Sequence, residues 1–350
     1  MSNLRINNIT NRVGDNGTVI AGVSTVTSTG AFVVPTGPTE FRGGRSRGVL
    51  AGGYGDSPLN VYNNTIEYVD IASTGNAKDF GDLAVKRYVP SAFSSSTRGI
   101  NSGGETPSNY TTYTDYITIS SQGGASFFGD LQAKHGYSSG LSDNTRGLVC
   151  GGHKTVGPAL SSSAIEYFTI ASQGDGTDFG DLTKSIGYTS GTSSPTRGVI
   201  SGGMVIETTT YKKNIEYVTI QTRGNAIDFG ELIRVTRQSA SCSSTTRGII
   251  AGGYIPTSPN FTNVINYITI ASTGNGEDFG DLTVARGWLA GTSNQIRGIF
   301  AGAYSASPAK FINVIDYVTI ASAGNATDFG DLLVELGGKG GCSDSHGGLG

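Results

Sequence analysis

Six copies of one text, spaced about 50 residues apart, constrain this chain more than any single motif in it. Arg-Gly leading into a run of apolar and small residues begins at Arg47, Arg98, Arg146, Arg197, Arg247 and Arg297. The phenylalanine of a Phe-Gly-Asp/Glu-Leu unit falls at Phe80, Phe128, Phe179, Phe229, Phe279 and Phe329. Both series step by 48 to 51 residues. Such a period means like supersecondary units, each burying its apolar surface against its neighbours.

The copy over 247–292 shows what one unit contains. Gly248-Ile249-Ile250-Ala251-Gly252-Gly253 is a short apolar run stopped by a glycine pair. Residues 264–270 are β-branched and aromatic, and Ser272-Thr273-Gly274-Asn275 supplies a turn. Asp278 to Leu282 forms another short strand, and 288–292 a fourth before the next Arg-Gly. No window of helical length carries a 3.6-residue apolar period. Six four-stranded units predict an all-β chain, a six-bladed β-propeller. The innermost strands are expected at 88–93, 136–141, 187–192, 238–242 and 287–292, rich in Ser, Gly, Ala and Thr because six strands meeting at an axis leave little room. Residues 338–345 occupy the position of another innermost strand with no outer strands after it. They are expected to complete the blade that starts at Arg47, closing the ring and covering an otherwise open edge.

The layout resembles the kelch family: an apolar run ending in Gly-Gly, a tyrosine-bearing strand, then an aromatic and a Leu leading to an Arg. The aromatic here is Phe where kelch repeats usually carry Trp, and the Arg is missing from some copies (Lys134, Gly187). The resemblance covers residues 47–337 in layout more than in residue identity.

The repeats leave a short N-terminal extension, 1–44, and a propeller domain, 45–350. Within the extension, Val13-Gly14-Asp15-Asn16-Gly17-Thr18-Val19-Ile20 carries a hairpin signal. Phe32-Val33-Val34-Pro35-Thr36-Gly37-Pro38-Thr39 and then Arg42 follow. This run resembles β-rich segments near the start or joints of tailed-phage fibre and virion proteins. The Phe-Gly-Asp-Leu repeats likewise resemble kelch-like virion proteins of phage genomes, marine ones especially. The resemblance implies a virion structural protein, a tail fibre or appendage, attached to other virion proteins through 1–44. Such a protein would be made in the host cytoplasm; 1–12 holds no apolar leader core.

Composition narrows the partners. The formal net charge is −3 with no basic run, so a nucleic-acid partner has no electrostatic footprint. No stretch approaches membrane-spanning length. Cys150, Cys242 and Cys342 are an odd set, with the latter two at equivalent positions two blades apart, and read as buried thiols. A homo-oligomer, such as a fibre trimer, stays open; no coiled-coil stretch enforces one.

The repeated carboxylates argue against catalysis, which needs a few groups in distinct environments. Asp-Phe-Gly resembles the magnesium-binding triplet of a kinase only in isolation, since five of six copies carry it and no Gly-rich loop with a partner Lys accompanies it. The Asp before Phe is expected to cap a turn, and the one after Gly to pair with a repeat Arg. Calcium held by Asp and loop carbonyls is a weaker alternative. His135, His153 and His346 fall in different blades and make no metal site by spacing. No cofactor or metal is expected. A carboxylate pair for glycoside hydrolysis stays open, because propellers bring distant residues together.

The loops carry the contrast. Turns such as Ser272-Thr273-Gly274-Asn275 are monotonous, whereas the loops after the glycine pair (54–63, 105–113, 153–163, 204–213, 254–263, 304–313) differ in every blade. These loops open on one face and hold Tyr54, Tyr62, Tyr110, Tyr113, Tyr211, Tyr254, Phe261, Tyr304 and Phe311. Rings among small hydrogen-bonding groups suit protein or sugar surfaces. The expected function is non-enzymatic: a virion component whose loops contact a host surface glycan or protein, or another virion protein. An intracellular kelch-type adaptor and, further off, a carbohydrate-active enzyme are the alternatives.

Overall fold

The apolar runs after Arg-Gly form strands buried on both faces, and that requirement sets the architecture. In Arg47–Ala51, Val49 packs into the cluster shared with the following blade and Leu50 into the one shared with the preceding blade. A strand covered on both sides needs a sheet neighbour on each flank and another sheet against each face. The computed structural model meets this with six four-stranded antiparallel blades arranged as a propeller. It describes residues 46–55, 61–154 and 160–349, all within the compact unit Ser46–Gly350. The extension expected over 1–44 lies outside the described residues.

One blade runs Ser91–Ser94, Arg98–Ser102, Tyr113–Thr118 and Ser126–Asp130 from axis to rim. The C-terminal strand Gly340–Ser343 pairs antiparallel with Arg47–Ala51, Gly48 opposite Ser343 and Ala51 opposite Gly340. The expected closure by the end of the chain is therefore present. Six apolar clusters fill the spaces between blades, each built on a Phe of the Phe-Gly-Asp/Glu-Leu unit or its equivalent. Burying each such ring contributes about 1.5–3 kcal/mol.

The innermost strands begin later than the sequence pattern indicates, at Ser91, Ser139, Ser190, Ala240 and Ala290. The residues before them turn sharply: Val89, Tyr137, Tyr188, Gln238 and Trp288 adopt φ of 48–62°, joined by Gly338 at 64°. Backbone bonds hold this unusual conformation in a ring about the axis. The N–H of Val89 donates to Gly338, Gly338 to Trp288, Trp288 to Gln238, Gln238 to Tyr188, and Tyr188 to Tyr137, at 2.7–3.1 Å. Further along the axis, small side chains do fill the innermost strands, as expected. Their serines form a second ring, in which Ser343, Ser293 and Ser243 each donate Oγ to the carbonyl of the preceding blade's serine. Ser142 donates to Ser94, and Ser94 to Ser343, at 2.6–2.7 Å.

Three further contacts recur around the ring. Each repeat Arg stacks on a tyrosine of its own blade, as Arg247 does on Tyr267 at 4.7 Å, and donates to a carbonyl of the next, here Ile320 at 3.2 Å. The expected pairing of these arginines with the Asp after Gly does not occur among the described residues, because each guanidinium is committed to its tyrosine ring and to a carbonyl of the next blade. The Asp before Phe stays exposed in all five copies that have one and caps no turn; in four blades it is the Asn after the turn glycine that bonds, and it reaches the preceding blade. Asn325 Oδ1, for example, accepts from the Asp281 N–H of the preceding blade at 3.0 Å. Finally, a buried polar side chain in each third strand accepts a backbone N–H of the preceding blade. These six are Glu67, Asp115, Glu166, Glu216, Asn266 and Asp316.

The glycine of Phe-Gly-Asp is fixed by close approach. Gly280 has φ +145°, and a Cβ there would sit 2.5 Å from the Gly324 carbonyl oxygen of the next blade. Gly280→Ala is expected to cost about 2 kcal/mol or more through strain and blade separation. Urea denaturation of the variant against the parent chain measures it, and a loss under about 0.5 kcal/mol would contradict the packing described.

Candidate functional site

Two sets of connections open on the face that carries the variable loops. One set is those loops; the other is the segments that lead from each outermost strand into the next innermost strand. They meet through antiparallel bridges, Tyr88 with Glu105, Gly136 with His153, Gly187 with Met204, Arg237 with Tyr254, and Gly337 with Tyr54. The bridging residues and the left-handed residues beside them surround the axis. They form a basin of about 590 Å³ lined by Tyr54, Tyr62, Tyr88, Glu105, Tyr137, Tyr254, Asn260, Phe261, Trp288, Tyr304 and Phe311. That volume falls within the range of small-ligand pockets.

Of the nine loop aromatics singled out by sequence, six line this basin: Tyr54, Tyr62, Tyr254, Phe261, Tyr304 and Phe311. Tyr110 is buried just behind it, its ring 6.3 Å from Tyr137 and its hydroxyl 2.8 Å from His153 Nδ1. Tyr211 stacks on Tyr254 at 6.0 Å and accepts from Arg237 Nε at 3.2 Å. Tyr113 opens a third strand and meets the outermost-strand ring of Phe127, so it points toward the rim. Sequence reasoning missed Tyr88, Tyr137 and Trp288, which it placed within innermost strands, and Glu105. The last had a visible signal. Glu105 directly follows a glycine pair, where other copies carry Tyr54, His153, Met204 and Tyr254.

The rings meet mostly edge to face. Tyr54 lies 5.3 Å from Tyr62, 5.5 Å from Tyr88 and 5.8 Å from Phe311. On the far side, Phe261, Trp288 and Tyr304 lie 5.8–6.0 Å apart. Glu105 is the one carboxylate among the described lining residues, and it accepts from the Tyr62 hydroxyl at 2.7 Å and from Tyr137 at 3.4 Å. Burial, reinforced by Glu105, raises the phenol pKa of Tyr62, Tyr88, Tyr110 and Tyr137, so these hydroxyls stay protonated donors. Trp288 Nε1 has no protein acceptor.

Below the basin a throat of about 100 Å³ passes the ring of left-handed residues. The channel then narrows between the innermost strands and ends at His346, whose Nε2 lies 3.1 Å from the Ser94 carbonyl oxygen. Burial pushes the His346 pKa down to about 4, so it stands neutral there at neutral pH. The three cysteines are free and buried; burial raises each thiol, Cys342 to about 12. They are inert packing groups, as the sequence indicates. Among the described residues no group of three or more His, Cys, Asp or Glu side chains is placed to hold a metal ion.

The arrangement offers ring surface, phenol and indole donors, and a single anionic acceptor. The chain matches no protein-family model, and no curated protein matches it in sequence.

Proposed function

We propose that the chain is a non-enzymatic binding module, a kelch-like propeller carried on a phage particle, whose aromatic basin engages a host surface glycan or protein. The basin carries this reading. A uniform scaffold varies on one face, and there it gathers aromatic rings with scattered hydrogen-bond donors around a concavity. The binding role is favoured over hydrolysis by the lone basin carboxylate among the described residues. Glycoside cleavage ordinarily needs two, and Glu105 is engaged by two tyrosines. Attachment to other virion proteins is assigned to 1–44 on the resemblance described above. Immunogold electron microscopy of purified particles, with antibody raised to the chain, is expected to decorate the virion at fixed positions. Particles free of label would remove the virion assignment.

A further inference from the structure

The basin is electrostatically lopsided. On one side Arg237 spans the rings of Tyr254, Tyr188 and Tyr211 at 4.6, 5.0 and 5.3 Å. The chain thus fills one aromatic cage with its own cation. On the other side Tyr54, Tyr62, Tyr88 and Tyr137 surround Glu105, and among the described residues no Lys, Arg or His lies within ion-pairing distance of that carboxylate. The nearby buried cations are committed elsewhere, Arg87 to Asp115 at 2.8 Å and Lys339 to Glu67 at 3.3 Å.

We propose that the Glu105 side of the basin binds an alkylammonium group of the ligand, seated among these four rings with the carboxylate as its counter-ion. The inference rests on the basin being the binding surface and names the chemistry it selects. Two alternatives fit less well. A neutral sugar face wants a flat ring to lie on, whereas these rings stand at 73°, 51° and 88° to one another and form walls. An anionic ligand on that side would meet Glu105 with, among the described residues, no cation in ion-pairing distance to offset it. A cation gains from the ring quadrupoles and from the carboxylate together, more so where water is excluded. Glu105 is also held in place: its N–H and carbonyl bond the Tyr88 backbone at 2.8 Å each way.

Two common surface groups carry this chemistry, the quaternary ammonium of a choline substituent and the primary amine of an amino sugar. Calorimetric titration of the full-length chain with choline chloride and with glucosamine separates them. The neutral isosteres 3,3-dimethylbutan-1-ol and N-acetylglucosamine serve as controls. We expect at least one ammonium ligand to bind, with its neutral isostere weaker by about tenfold. Glu105→Gln should weaken the charged ligand by a similar factor while leaving the melting temperature within about 2 °C. Choline alone assigns a quaternary headgroup, and glucosamine alone an amino sugar. Equal binding of charged and neutral partners, an unaffected Glu105→Gln variant, or no saturable heat from either ammonium ligand would each overturn the proposal. The virion labelling described above is read independently of these outcomes.

Discussion

Removal of residues 337–350 is expected to leave a chain that does not form a monomeric propeller. Three losses coincide. Gly340–Ser343 supplies the innermost strand of the first blade, so Arg47–Ala51 becomes an open, apolar sheet edge, the kind that templates aggregation. Ser343 leaves the axial serine ring, where it bonds the blades on both sides. Lys339 is lost from a pair whose side chains are both essentially unexposed, stranding Glu67. Breaking such a pair alone costs about 3–5 kcal/mol, a large part of an ordinary domain's stability of roughly 5–15 kcal/mol. Size-exclusion chromatography with circular dichroism tests this. The expected result is aggregation or an expanded, unfolded profile, and a soluble monomer with the parent melting temperature would contradict it.

Arg286→Ala is expected to destabilise the chain by about 3–5 kcal/mol. Arg286 and Asp316 are unexposed and 3.1 Å apart, and the guanidinium also donates to the Phe300 and Val314 carbonyls at 3.2 and 3.3 Å. Burial lowers the Arg286 pKa and Asp316 opposes that shift, so the pair persists because each charge answers the other. Truncating the arginine leaves a buried carboxylate with only the Thr283 donors. The chain itself contains the compensated alternative. In the preceding blade the equivalent positions hold Thr236 and neutral Asn266, and Asn266 still accepts the Ile233 N–H at 3.1 Å. Arg286→Met with Asp316→Asn should therefore recover most of the loss in urea denaturation. A single variant within about 1 kcal/mol of the parent, or a double variant no better than the single, would refute this account of the pair.

The repeat period, the number of blades and the closing strand were legible because each leaves a local trace. Arg-Gly recurs, glycine pairs stop the second strands, and 338–345 stands where the sixth innermost strand would begin, with no outer strands after it. The contacts that join blades were not legible. Arg247 finds a carbonyl 73 residues away, and nothing near Arg247 marks that partner. The basin was half legible for a similar reason. Aromatic residues in variable loops announce themselves, but Tyr88, Tyr137 and Trp288 sit in segments whose small, alternating residues read as strand. A left-handed turn at Val89 or Trp288 runs against the local preference of such side chains. It is imposed by backbone bonds to neighbouring blades, which no single repeat records. Tyr113 shows the converse, a loop aromatic whose strand register sends it to the rim.

The central claim, that ligand is taken up in the aromatic basin, has a built-in reporter, because Trp288 is the only tryptophan of the chain and lines that basin. Titrating the full-length chain with the tighter-binding of choline and glucosamine, by calorimetry and by intrinsic tyrosine and tryptophan emission in parallel, tests it most directly. The basin account predicts one saturable transition with the same Kd from both. Saturable heat with both the tyrosine and the Trp288 emission unchanged would place the ligand elsewhere on the propeller and contradict it.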